Sequence, residues 1–136
     1  MIKDNESLKK SNKDKKQSKV MIVDNEPDLR EMLVLMLQKE GFETETAEDG
    51  SEFLEKIDMF NPDLVTLDVM MPGLKTEEIL EKLKEKKCKP KIILLTVVRY
   101  TNEKKEKMLK INNIVEYIEK PFDYDVLMNA VKKHTG

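Results

Sequence analysis

From Lys19 onward, two patterns of apolar residues alternate along the chain. The first consists of short runs rich in valine, isoleucine and leucine, which predict buried strands. The second consists of longer stretches in which apolar residues recur every three or four positions, as they do on one face of a helix. Alternating strands and helices are typical of a parallel sheet wound with helices.

This pattern predicts five strands and five helices. The predicted strands cover residues 20–23, 42–47, 63–67, 92–95 and 115–118. The predicted helices run from Pro27 to just before Gly41, from Ser51 to Phe60, from a Thr76 cap to Leu83, from Asn102 to Ile111, and from an Asp123 cap to Val131. Proline suits the first turn of a helix and glycine suits its left-handed end, so Pro27 and Gly41 bound the clearest helix.

Length and charge divide the chain into two parts. Its 136 residues allow a single domain. Residues 1–19 carry seven lysines against three acids, whereas the net charge of the whole chain is −2, so the remainder is acidic. Residues 1–18 contain few apolar residues and are predicted to form a disordered basic tail ahead of a folded domain of residues 19–136. The acidic domain argues against nucleic-acid binding, and the tail, which has no aromatic residue, is interpreted as a solubilising leader.

The sequence also excludes several classes of site. No apolar run approaches the roughly 20 residues that cross a bilayer, and the amino terminus lacks the apolar core of a signal peptide. We therefore expect a cytoplasmic protein with no membrane insertion. Cys88 is the only cysteine, which excludes an internal disulfide and a multi-cysteine metal site. Its polar neighbours in the sequence favour a bystander thiol over a redox site.

Chemically useful side chains follow four of the predicted strands. Asp24 and Asn25 follow the first strand, Asp68 follows the third, Thr96 ends the fourth, and Lys120 follows the fifth. Because ligands bind beyond the carboxyl ends of the strands in such sheets, these side chains are expected to meet at one edge. A carboxylate nucleophile, a second acid, a hydroxyl and a lysine are the groups needed to accept a phosphoryl group. The arrangement therefore predicts phosphorylation of Asp68.

Four motifs carry a resemblance to a known family. They are Ile22-Val23-Asp24-Asn25-Glu26-Pro27, the segment from Pro62 to Gly73 around Asp68, Leu94-Leu95-Thr96, and Tyr117-Ile118-Glu119-Lys120-Pro121-Phe122. With these motifs in order, the chain from Lys19 to Thr135 resembles the response-regulator receiver domain of two-component signalling, in its single-domain, chemotaxis-regulator-like form. The resemblance implies an α/β fold, a flavodoxin-like (βα)5 sandwich whose five parallel strands have the order 2-1-3-4-5.

The resemblance also implies a role for each residue of the site. It makes Asp68 the phosphoacceptor, Asp24, Asn25, Asp68 and the backbone carbonyl of Met70 the ligands of Mg²⁺, Thr96 and Lys120 the groups that hold the phosphoryl oxygens, and Tyr117 a switch residue. Met70 and Val98 would flank the path of the water that hydrolyses the acyl phosphate. Neither side chain can orient or deprotonate water, which predicts a slowly decaying phosphorylated state.

Asn25 departs from the family pattern, because receivers usually have a second acid at this position. An amide oxygen can still bind a metal, but one negative charge is lost, so Mg²⁺ is expected to bind more weakly than to an aspartate variant. The departure leaves open a pseudo-receiver, an interaction module that works without phosphorylation. An aspartyl hydrolase is disfavoured because Met70 stands where such phosphatases have a second aspartate, and flavin binding is disfavoured because no Ser/Thr/Gly-rich phosphate loop follows the first strand.

The predicted function is that of a stand-alone response regulator. His134, the only histidine, is expected to be exposed at the end of the last helix, so a sensor histidine kinase or a histidine phosphotransfer protein would supply the phosphoryl group from its own phosphohistidine. The output would be a contact with an unknown downstream protein. We expect no enzymatic activity beyond the protein's own Mg²⁺-dependent phosphotransfer and autodephosphorylation, and a weak homodimer stays open.

Overall fold

The computed structural model describes residues 17–111 and 113–136, in which five strands alternate with five helices. The strands are β1 (Lys19–Val23), β2 (Glu43–Ala47), β3 (Leu64–Leu67), β4 (Lys91–Thr96) and β5 (Ile114–Glu119). The helices are α1 (Pro27–Lys39), α2 (Gly50–Phe60), α3 (Thr76–Leu83), α4 (Asn102–Leu109) and α5 (Tyr124–Thr135). Residues 1–16 of the predicted basic tail lie outside the described residues.

The five strands form one parallel sheet in the order β2-β1-β3-β4-β5. This order confirms the predicted flavodoxin-like fold. The chain leaves β1 to form β2 on one side and then returns to form β3 on the other side. The carboxyl ends of β1 and β3 therefore adjoin where the winding direction reverses, which is the place where sheets of this kind bind ligands.

Helices cover both faces of the sheet, because successive strand residues point to opposite sides. On one face, Met21 and Val65 pack with buried residues of three helices, Phe53 of α2, Ile79 of α3 and Met108 of α4. On the other face, Val20 and Leu64 pack with Leu33 of α1 and Leu127 of α5. Burying an aliphatic or aromatic side chain of this size contributes about 1.5–3 kcal/mol to the free energy of unfolding, so the packing on each face stabilises the sheet.

The ends of the first two helices follow the turn chemistry of their residues. α1 begins at Pro27, and Gly41 lies just after it with a φ of 94°. α2 ends at Phe60, and the next residue, Asn61, has a φ of 55°. Glycine adopts this left-handed conformation without steric cost and asparagine tolerates it, which explains why both helices stop there. Within residues 17–111 and 113–136, no helix is long and apolar enough to cross a membrane.

The start of α3 differs from the prediction. Thr76 is the first residue of the helix and does not cap it. The backbone N–H of Lys75, the residue before the helix, instead donates a hydrogen bond of 2.9 Å to Glu78 Oε1. A carboxylate in the first turn therefore binds a backbone donor at this end and also suits the positive end of the helix dipole.

Two further features, the end of α4 and the surroundings of His134, differ from the predictions. α4 ends at Leu109 and not at Ile111, because the Ile111 N–H bonds back to the Met108 carbonyl at 3.0 Å and turns the chain towards β5. The His134 side chain is 14 % exposed and not freely solvated. It lies against β5, where its Nε2 is 3.0 Å from Glu116 Oε2.

Candidate functional site

Two aspartates end neighbouring strands in the middle of the sheet. β1 and β3 pair as far as Val23 opposite Leu67, so Asp24 and Asp68 are adjacent directly beyond the paired residues. The Asp68 N–H donates to the Val23 carbonyl at 3.0 Å, which continues the pairing past the end of β3. Asp24 is 2 % exposed and Asp68 is 4 % exposed. The fold therefore buries two carboxyl groups next to each other.

Lys120 brings one ammonium group to both aspartates. Its N–H donates to the Thr96 carbonyl at 2.8 Å, so it lies directly beyond the paired ends of β4 and β5. Its Nζ lies 2.7 Å from Asp24 Oδ2, 3.4 Å from Asp68 Oδ2 and 3.3 Å from Glu26 Oε1. Because the Lys120 side chain is only 9 % exposed, these carboxylates replace most of its water. The ends of β1, β3 and β5 thus form one charged cluster.

Burial and charge shift the pKa values of two groups in the cluster. Burial raises the pKa of Asp68 above its usual range, although the Met70 N–H and the Lys120 ammonium act in the opposite direction. Burial also opposes the charge of Lys120, but hydrogen bonds and attraction from Asp24, Asp68 and Glu26 together raise its pKa. Lys120 therefore stays a cation at neutral pH, as a group that compensates phosphoryl charge must.

The loop after β3 folds back onto Asp68. The Met70 N–H donates to Asp68 Oδ1 at 2.9 Å, a side-chain-to-backbone bond typical of aspartate in turns. Asp68 Oδ2 is then the oxygen that faces Lys120. The Met70 side chain is 56 % exposed. Met70 therefore contacts the buried Asp68 carboxylate through its backbone and presents its side chain to solvent.

Glu26 and Arg30 also contact the site, although neither was predicted as a site residue. The Glu26 N–H donates to Asp24 Oδ1 at 2.9 Å, and its carboxylate reaches Lys120. Arg30 Nη1 donates to the Asp24 carbonyl at 2.6 Å. Both residues hold the loop between β1 and α1. Their residue types did not indicate a role in the site, because long charged side chains near the start of a helix are ordinary surface residues.

Thr96 and Tyr117 are connected through Val98. Thr96 is fully buried, and its Oγ1 accepts a 3.2 Å hydrogen bond from the Val98 N–H. The Tyr117 hydroxyl donates to the Val98 carbonyl, and its ring packs 5.5 Å from that of Tyr100. Lys105 Nζ lies 5.1 Å from the centre of the Tyr117 ring. The backbone N–H and the backbone carbonyl of Val98 are thus both bound to predicted site residues.

The structure brings some of the predicted residues together and leaves others apart. Asp24, Asp68 and Lys120 are in direct contact. Among the described residues, no hydrogen bond joins the Thr96 hydroxyl to Asp68 or Lys120, although Thr96 lies one residue from Lys120 across the β4–β5 pair. Asn25 is exposed. In the part of the chain that the structure describes, its side chain forms no hydrogen bond to the cluster, and its role as a metal ligand stays a prediction.

The oxygen donors at this edge suit Mg²⁺. Asp24 and Asp68 already share one cationic partner, and the Met70 backbone adjoins them. Over the described parts of the chain, no three His, Cys, Asp or Glu side chains form a ready metal cage. Mg²⁺ is commonly held by one or two carboxylates together with waters and phosphate oxygens, so an open pair of carboxylates fits its chemistry.

Comparison with known sequences gives one family. The family model described as "Response regulator receiver domain" matches residues 20–132. Sporulation initiation phosphotransferase F of Bacillus subtilis is 33 % identical over 116 residues, and the match covers 85 % of this chain and 92 % of that protein. The Bacillus subtilis alkaline phosphatase synthesis transcriptional regulatory protein PhoP is 34 % identical over 105 residues, with 76 % and 42 % covered. The chain thus spans less than half the length of PhoP.

Comparison with solved structures gives the same result. The response regulator protein TrrA of Thermotoga maritima matches with a TM-score of 0.71 and 40 % sequence identity. The match covers 86 % of this chain and 98 % of TrrA, whose structure was solved in complex with Mg²⁺-BeF. The two chains are therefore similar in sequence as well as in fold.

Proposed function

The chain belongs to the response regulator receiver domain family, and we propose that it accepts a phosphoryl group on Asp68 from the phosphohistidine of a sensor kinase or a phosphotransfer protein. The observation that supports this most directly is the buried cluster in which Asp68 and Asp24 share the Lys120 ammonium. Members of the family act in two-component signalling together with histidine kinases or phosphotransfer proteins. A carboxylate acceptor, a second acid and a lysine, three of the groups that such a transfer needs, are in contact in this cluster.

The proposed reaction transfers phosphorus from nitrogen to oxygen. An Asp68 carboxylate oxygen attacks phosphorus, a P–O bond forms, the P–N bond of the donor breaks, and the imidazole leaves with the electron pair and takes up a proton. Two buried carboxylates repel an incoming phosphoryl group, so positive charge must offset them. Lys120 supplies one charge, and bound Mg²⁺ would supply further charge neutralisation through Asp24, Asp68 and the Met70 carbonyl, with Asn25 outside the buried set.

The transferred phosphoryl group would also change the surface. We infer that the Thr96 hydroxyl, whose oxygen accepts from the Val98 N–H, turns to donate its own proton to a phosphoryl oxygen, which is a strong acceptor because it is charged. Because the Tyr117 hydroxyl is bound to the Val98 carbonyl, movement of this loop would move Tyr117. The surface made by α4, β5 and α5 is then biased towards one of two arrangements and contacts the downstream protein.

We also propose that the domain works as a stand-alone regulator. The support is the similarity to phosphotransferase F and to TrrA, in which the matched domain makes up 92 % and 98 % of the chain, whereas it makes up 42 % of PhoP. A regulator of this kind makes its output contact in trans. The test is whether the isolated chain, once phosphorylated, binds a protein partner that the Asp68→Asn variant does not bind.

Labelling with a small phosphodonor tests the acceptor. Incubation with acetyl phosphate and Mg²⁺ is expected to add one phosphoryl group, measured by intact-protein mass spectrometry. Asp68→Asn is expected to abolish the addition, because an amide cannot form the acyl phosphate. The matched control is Asp125→Asn, which makes the same chemical change at an exposed position in the first turn of α5. Label that persists in Asp68→Asn would assign the acceptor to another residue.

Asn25 favours one alternative function, a pseudo-receiver that binds its partner without phosphorylation. The same assay separates the two functions, because a pseudo-receiver would remain unlabelled even at high Mg²⁺. Binding of a partner that is unchanged by Asp68→Asn would then support the alternative.

A further inference from the structure

Glu26 brings to the cluster a negative charge that the neutral Asn25 lacks. Both residues are exposed, and the Glu26 carboxylate places Oε1 3.3 Å from Lys120 Nζ. We propose that Glu26 supplies the third carboxylate of the Mg²⁺ site in place of Asn25. The inference rests on the proposed function of this site and adds a residue to it.

The backbone of Glu26 is fixed at both of its polar groups. Its N–H donates to Asp24 Oδ1 at 2.9 Å, and its carbonyl accepts from the Arg30 N–H at 3.0 Å in the first turn of α1. These bonds hold its Cα beside Asp24. Only the Glu26 side chain is then free to rotate. Its carboxylate contacts the Lys120 ammonium that Asp24 and Asp68 share.

The charge of the cluster gives a second reason. Three carboxylates, from Asp24, Glu26 and Asp68, surround the single ammonium of Lys120 and give a net charge of −2. This charge matches a divalent cation. Without Glu26 the net charge of the cluster would be −1, and a bound divalent cation would leave the site with a net charge of +1. Uncompensated charge at a largely buried site is unfavourable. Glu26 thereby restores the charge that an acid at position 25 would give.

Glu26 is also the carboxylate that is easiest to redirect. Its side chain is 62 % exposed, whereas that of Asp24 is 2 % exposed. Its contact with Lys120 is longer than the 2.7 Å contact made by Asp24. Exposed ion pairs contribute little to stability, so the Glu26 carboxylate can leave Lys120 for a bound Mg²⁺ at small cost. A glutamate side chain has the length to do so while its backbone stays in place.

A double-mutant cycle tests the proposal without any phosphodonor. Mg²⁺ binding is measured by isothermal titration calorimetry for the wild type, Glu26→Gln, Asn25→Asp and the double variant. Glu26→Gln is expected to raise the Kd about fivefold or more, and Asn25→Asp to lower it. In the Asn25→Asp background, Glu26→Gln is expected to change the Kd by less than about twofold, because the aspartate then supplies the missing carboxylate.

Glu31→Gln is the matched control, since Glu31 is an exposed acid of the same helix and its loss makes the same change in net charge. An equal effect of Glu26→Gln in both backgrounds, an effect no larger than that of Glu31→Gln, or no measurable Mg²⁺ binding to the wild type would overturn the proposal. If Asp68 becomes phosphorylated but Glu26→Gln binds Mg²⁺ normally, only this inference fails. If the cycle behaves as expected and Asp68 stays unlabelled, only the proposed function fails.

Discussion

Val98 is held by its backbone, and its side chain is available for substitution. Its N–H donates to Thr96 Oγ1, and its carbonyl accepts from the Tyr117 hydroxyl. Met70 resembles it in this respect, since its N–H donates to Asp68 Oδ1. Replacing the Met70 or the Val98 side chain therefore leaves these backbone contacts in place. Only the side-chain groups at these two positions change.

Such substitutions test whether Met70 and Val98 set the lifetime of the phosphorylated state. Met70→Asn and Val98→Glu are each expected to speed the loss of the phosphoryl group roughly tenfold, since each introduces a group that can orient or deprotonate water, without reaching the full effect of a positioned general base. Decay is measured at saturating Mg²⁺ by phosphate release from the labelled protein.

Val97→Glu is the matched control for the lifetime measurement, because Val97 is the neighbouring residue and is 56 % exposed. This variant should decay at the wild-type rate. The Met70 and Val98 side chains would not set the lifetime if their variants also kept that rate while Asn25→Asp changed it strongly. The lifetime would then depend on Mg²⁺ binding.

Sequence reasoning found the residues whose position is set by strands and missed those whose position is set by side-chain reach. Asp24, Asp68 and Lys120 could be placed together because parallel pairing fixes where a strand ends. Glu26 and Arg30 reach the cluster through flexible side chains, and no periodic pattern records where such a chain points. Their contacts became visible only in three dimensions.

At the scale of an element, two helices differ in how their first turn is satisfied. Asp49 precedes α2, and its Oδ1 accepts a 2.9 Å hydrogen bond from the Glu52 N–H. Asp123 precedes α5 in the same position but forms no hydrogen bond from its side chain to the helix. A comparison of Asp49 with Asp123 therefore separates the effect of the capping hydrogen bond from that of a negative charge near the helix dipole.

Replacing each aspartate by alanine measures that difference. Asp49→Ala is expected to lower the free energy of unfolding by about 1 kcal/mol, because it removes the bond to the Glu52 N–H. Asp123→Ala is expected to cost less than half as much, since only the interaction with the helix dipole is lost. Urea titrations followed by circular dichroism give both values. A larger loss for Asp123→Ala would show that the side-chain bond of Asp49 contributes little.

The predictability of the elements depends on how clearly residues mark their ends. α1 follows Pro27 and ends before Gly41, and both were predicted from the sequence. α3 is preceded by Lys75, which is not a residue that commonly caps helices. The hydroxyl of the next residue, Thr76, therefore led to the prediction of a cap one residue too late. α4 has a single buried apolar residue, Met108, and so its end could not be placed by periodicity.

At the scale of the whole molecule, Cys88 offers a probe of folding. It is 7 % exposed, its Sγ donates to the Pro62 carbonyl at 3.4 Å, and it belongs to the apolar layer shared with β3 and β4. The polar residues around it in the sequence did not indicate this burial. Burial raises the pKa of its thiol, and the nearby carboxylates of Asp58 and Asp63 raise it further.

Alkylation of Cys88 should therefore report unfolding. The thiolate is the reactive form, and a raised pKa lowers its fraction in the folded state, while burial restricts access. At pH 8 we expect iodoacetamide to react at least about tenfold more slowly with the native protein than with the protein in urea. Mass spectrometry of quenched samples measures the rate. Equal rates in both states would mean that the thiol is accessible without unfolding.

The charged cluster joins parts of the chain that are far apart in sequence. Lys120 lies 96 residues from Asp24 and 52 residues from Asp68, and it reaches them only when β5 is paired in the sheet. During synthesis, Asp68 emerges from the ribosome before Lys120, which completes the cluster. A nascent or partly folded chain would therefore carry Asp68 without its lysine partner, and the proposed phosphorylation would be restricted to completely folded molecules.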